Sequence, residues 1–90
     1  MSSTLTVASQ VIARMSDYEI GVYNKNVRDA IRGGDEWKND MGISAEFENT
    51  LYFPIRNAAS IEEVERRAAK SFPAKLGYVI ECIMLVRSSD

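Results

Sequence analysis

Two neighbouring side chains in this sequence could do chemistry. Glu81 is the one charge in the apolar run Tyr78 to Val86, and Cys82 beside it is the only cysteine. A carboxyl among apolar residues is the kind of group whose acidity rises enough for proton transfer, but hydrolytic acid–base work pairs it with a second carboxyl, and none adjoins it. A thiol becomes a nucleophile when a base or a cation makes it a thiolate, and the chain contains no histidine to serve. Glu81 is therefore read as facing a basic residue or water, and Cys82 as a small buried hydrophobe. The absence of histidine and of any cysteine cluster removes His-ligated metals, zinc knuckles, disulfide frameworks and imidazole catalysis together. Arg32-Gly33-Gly34-Asp35 lacks the spacing of a phosphate-binding loop. The expectation is a protein that is not an enzyme and holds no metal or cofactor.

The most distinctive stretch runs from Gly33 to Thr50. Asp35, Glu36, Asp40, Glu46 and Glu48 stand there against the single Lys38, a local charge of −4 in a chain whose net charge is −2. The only tryptophan, Trp37, lies among them. Carboxylates steer a basic partner toward them and a tryptophan supplies the large contact typical of an interface anchor, so these six residues form the candidate binding surface. In the competing reading, Trp37 and Met41 close one end of the core and the acids are simply solvated. The Glu62 to Arg66 and Glu63 to Arg67 spacings are those of ion pairs along a solvated helix, and they make a poor phosphate track. Tyr52 and Phe53 match no RNA-stacking signature, being adjacent and so on opposite sides of a strand. A near-neutral balance likewise speaks against direct nucleic-acid or membrane binding.

These residues need elements to hold them. Ninety residues, 46% of them apolar, make one domain over 1–90 with little apolar surface to spare. Ser60 and Glu63 have capping-box spacing and open a helix with Ile61, Val64, Ala68 and Phe72 on one face, stopped by Pro73. Gly77 then leads into Tyr78 to Val86, apolar on both faces and so expected to be a central strand. Ile43, Ala45 and Phe47 alternate with Ser44, Glu46 and Glu48, predicting a strand that continues through Leu51-Tyr52-Phe53 toward Pro54, with a hairpin around Asn49-Thr50. Tyr18 to Tyr23 alternates as a strand. Ser16 and Glu19 would also cap a helix there, but Gly21 weakens a helix interior by about 1 kcal/mol. Asn24 or Asn26 caps a short helix through Val27, Ala30 and Ile31 that Gly33-Gly34 ends. Residues 4–15 fit a helix or a strand, helix preferred, and residues 1–16 form a peripheral N-terminal segment. The fold class is α+β: a small sheet of three or more strands, two or three helices, and a C-terminal strand-helix-strand unit.

That unit, Leu51-Tyr52-Phe53-Pro54-Ile55 through Ala58-Ala59-Ser60-Ile61-Glu62-Glu63-Val64 to Gly77-Tyr78-Val79-Ile80, resembles one found in many small phage and mobile-element proteins, several anti-CRISPR inhibitors among them. The resemblance implies a small protein in the host cytoplasm that disables a host complex by binding it. No run approaches a membrane span and Met1-Ser2-Ser3-Thr4 lacks the basic opening of a secretory signal, which agrees with a cytoplasmic location. The expected function is therefore a phage-type inhibitor whose acidic, Trp-containing surface fills a basic groove on a nucleic-acid-binding complex such as a CRISPR effector. A structural homo-oligomer subunit or adaptor is the alternative, for which an exposed sheet edge around Leu51 to Ile55 would be the sign.

Overall fold

The computed structural model describes residues 15–38 and 41–88. The expectations for the N-terminal segment fall outside that description over residues 1–14, and Asp40 with them; Met15 is in neither helix nor strand, and Ser16 already belongs to β1. In chain order the elements are strand β1 (Ser16–Asn24), helix α1 (Lys25–Arg32), a 3-10 turn (Ala45–Glu48), strand β2 (Leu51–Ala58), helix α2 (Ile61–Ser71), a second 3-10 turn (Ala74–Leu76) and strand β3 (Tyr78–Ser88). The three strands form one antiparallel sheet in the order β2-β1-β3. The fold is α+β, as the periodicities predict.

Alternation along β1 sends Ile20, Val22 and Asn24 to one face, where all three are buried. Opposite them in register stand Phe53 and Leu51 of β2 and Ile83, Ile80 and Tyr78 of β3. Helix α2 covers this face with Val64 and Ala68, and Ile55 and Ala58 complete the cluster. The Ser60 hydroxyl accepts the Glu63 N–H at 3.1 Å, and the Glu63 carboxylate accepts the Ala59 N–H at 2.8 Å, one residue earlier than a capping box requires. Toward one end, Phe47, Phe53, Phe72 and Tyr78 pack with ring centroids 4.9 to 6.2 Å apart. Each such pair contributes about 0.5–1.5 kcal/mol beyond its buried area. Four elements, or the residues ending them, are joined there.

Asn24 ends β1 and begins α1. Its carboxamide oxygen accepts the N–H groups of Asn26 and Val27, and its Nδ2 donates to the Leu76 carbonyl at 3.0 Å. One buried side chain thus caps the helix and ties it to the turn before β3. Helix α1 closes on Gly34 at φ 91°, with Gly34 N–H to the Ile31 carbonyl and Asp35 N–H to the Ala30 carbonyl. That pair of bonds is a Schellman closure, which needs the left-handed residue glycine provides.

Three expectations are corrected. The last strand is an edge, and β1 is central. An apolar run on both faces of β3 suggested burial on both, whereas Leu85 and Val86 are 61% and 63% exposed. Nor do Ile43 to Glu48 form a strand or a hairpin. The Ser44 hydroxyl accepts the Glu46 N–H at 3.1 Å and curls the chain into the 3-10 turn, so β2 begins only at Leu51 and pairs with β1. Finally, Ile61 stays 43% exposed, because α2 meets the sheet through Val64 and Ala68 one and two turns further on.

Candidate interaction surface

The segment between α1 and β2 is held at several points. After the α1 closure, Asp35 and Glu36 emerge exposed beyond the helix C-terminus, whose carbonyl dipoles add to their negative field. Trp37 follows, half-buried, and its indole N–H donates to the Ile43 carbonyl at 2.8 Å. Ile43 is itself buried, so the ring is braced against the core while part of it faces solvent. Met41 is 67% exposed and closes nothing. At the far end, the Arg28 Nε donates to the Glu48 carbonyl at 2.9 Å, and Arg32 approaches the Glu48 carboxylate at 3.6 Å. Both arginines belong to α1, so the two runs of acids border the same helix end.

The sequence-predicted residues divide accordingly. Asp35, Glu36 and Glu46 are exposed, and among the described residues none forms an ion pair. Glu46 takes only a 3.5 Å contact from the Ser44 hydroxyl. Glu48 is partly neutralised by Arg32, Trp37 is braced, and Asp40 lies outside the described residues. On α2, Glu63 and Arg67 pair at 3.5 Å as their spacing predicts; Glu62 and Arg66 do not, and Arg67 also donates to the Arg56 carbonyl.

A second cluster escaped sequence reasoning. The sheet face turned away from α2 closes tightly over Gly21, where a Cβ would stand 2.8 Å from Cys82 Sγ and 3.0 Å from both Thr50 and Tyr52. Cys82 is thus half-buried over a glycine. Over the same glycine the Thr50 hydroxyl donates to Glu81 Oε1 at 2.7 Å, and Arg28, whose guanidinium reaches the Thr50 hydroxyl at 3.5 Å, lies 3.6 Å from the Tyr23 ring centroid. Glu81 answers a hydroxyl rather than a base. Arg28 is the missed residue: its five-residue separation from Tyr23 spans a strand end and a helix start, which no single periodicity connects.

This arrangement holds no pairing of nucleophile with base, and among the described residues no three His, Cys, Asp or Glu side chains gather as a metal would require. Among the same residues no helix is long and apolar enough to cross a membrane. Comparison of the chain with protein-family models, curated proteins and solved structures finds no match.

Proposed function

We propose that this protein is a small non-enzymatic binding protein that occupies a basic groove on a protein partner, presenting Asp35, Glu36 and Glu46 with Trp37 as the apolar contact. One observation carries this reading: Asp35, Glu36 and Glu46 are exposed and, among the described residues, form no ion pair, while the Gly34 closure holds one end of their segment and Arg28 on the Glu48 carbonyl holds the other. Asp17, Glu48 and Glu63, by contrast, have arginines beside them. Acids outside any ion pair have no intramolecular partner to surrender on docking, and the cost that remains is the ordering of their exposed side chains. The resemblance to inhibitors of the anti-CRISPR type supplies the partner class, a nucleic-acid-binding effector complex, whose groove a patch of carboxylates would deny to its substrate.

The test is a competition. Purified chain is titrated against purified CRISPR effector complexes while their binding to target DNA is followed. Loss of DNA binding is expected for the native chain. Asp35→Lys with Glu36→Lys should slow association about tenfold at low salt and flatten its salt dependence, since steering acts before docking. Trp37→Ala should instead hasten dissociation, by about 2 kcal/mol or more. A native chain that leaves every effector on its DNA, or a charge-reversed chain as potent as the native one, would refute the proposal.

A further inference from the structure

β3 is the longest strand, 11 residues, and β1 lies along only one of its edges; no described residue pairs along the other. A free edge is a row of unpaired backbone donors and acceptors ready to template another strand. Here it also carries Met84, Leu85 and Val86, all exposed.

The register of β3 against β1 slips twice, and the extra residues are Glu81 and Val86. At each slip two consecutive side chains fall on the face turned away from α2. Glu81 reaches Thr50 and Cys82 stands over Gly21; Val86 lines a hollow beside Pro54, and Arg87 approaches Asp17. These two pairs, Glu81-Cys82 and Val86-Arg87, are disposed symmetrically about Met84.

We infer that two copies of this chain join through β3, antiparallel about a two-fold axis at Met84, to make one continuous sheet. In that register Met84 faces its own copy, Ile83 faces Leu85, Cys82 faces Val86, and Glu81 faces Arg87. Every contact away from the axis is made twice, as an isologous interface demands. The charges are complementary. Glu81 spends one oxygen on Thr50, and the Arg87 side chain is 80% exposed with only a 3.9 Å approach to Asp17. On the covered face, Leu85 of the second copy comes alongside Ile83, beside a hollow of about 430 Å³ at the strand edge lined by Glu65, Ile80, Glu81, Cys82 and Ile83. A slip of one residue would turn apolar side chains to the wrong face, and a slip of two would set Glu81 or Arg87 opposite an apolar residue. The acidic segment takes no part in this contact, so the inference stands apart from the proposed partner binding.

Sedimentation equilibrium of the full chain tests it, with thermal melting to verify that each variant folds. The native chain should be a dimer. E81R and R87E should each place like charges opposite one another twice and weaken the dimer about tenfold. An equimolar mixture of E81R and R87E should recover it, because each introduced charge then meets its opposite. The register has its own test: Met84→Cys in a Cys82→Ala background should oxidise to a covalent dimer, as directly opposed Cα atoms lie about 4.5–5.5 Å apart, within disulfide reach. Leu85→Cys in that background should not. A native chain that stays monomeric at roughly 100 μM, far above the constants of standard interfaces, overturns the inference. So does a dimer indifferent to both reversals, or one in which Met84→Cys fails to cross-link.

Discussion

Along β2 the free edge of the sheet is interrupted by Pro54, which has no N–H to offer, and by Asn57, held at φ 57° with its N–H on the Asp17 carboxylate. Along β3 the opposite edge runs from Tyr78 to Arg87 without a proline or a glycine. The two strands flank the same β1 and contribute to the same core. Their outward edges nevertheless differ: β2 is interrupted by a residue that cannot donate and by one in the left-handed region, whereas β3 keeps its donors, bends at the two slips of Glu81 and Val86, and has no described residue paired along it. Edge protection is thus assigned strand by strand, and it is independent of how much each strand gives to the interior.

The sharpest measurement of that independence compares the centre with the open edge. Ile20→Ala should cost about 2–5 kcal/mol in urea unfolding, whereas Ile83→Ala, directly opposite but half-buried on the edge, should cost less than half as much. Equal losses would mean that β3 is as deeply enclosed as β1. Next in size is Asn24→Ala, which removes the α1 cap and the bond to the Leu76 carbonyl together. About 1–2 kcal/mol is expected, and a loss confined to a few tenths would show that water replaces both bonds. The smallest stability effect belongs to Pro54→Thr, within about 0.5 kcal/mol of the native chain. Its consequence lies elsewhere: with a donor restored on β2, sedimentation velocity should reveal species larger than those of the native chain. An unchanged size distribution would remove Pro54 from the role of guard.

Much of this fold was legible because local signals agreed with tertiary packing. Asn24 or Asn26 before Val27, Ala30 and Ile31, with Gly33-Gly34 behind them, marks α1, and Ser60 with Glu63 at its start and Pro73 after its end mark α2. The errors came where one pattern serves two structures. Ile43, Ala45 and Phe47 alternate like a strand, yet a single serine hydroxyl at Ser44 redirected the chain into a 3-10 turn. Apolarity on both faces of β3 predicts enclosure on both, yet it also fits an edge strand that packs Tyr78, Ile80 and Ile83 on the core and leaves Leu85 and Val86 exposed. The acidic residues were found by counting charge. Their division into paired and unpaired groups depends on Arg28 and Arg32, whose reach across the α1 surface is a matter of three-dimensional placement.

The brace at Trp37 gives the protein an optical reporter of its own. Because the chain has one indole, and that indole donates to the Ile43 carbonyl, tryptophan emission originates from a single place at the border of the acidic segment. Detachment of this segment would shift the emission to longer wavelength and open the ring to a quencher such as acrylamide, while far-ultraviolet dichroism from the sheet and helices stayed constant. Local release and global unfolding could thus be followed separately in one unlabelled sample, and occupation of the segment by another molecule would be visible without a dye.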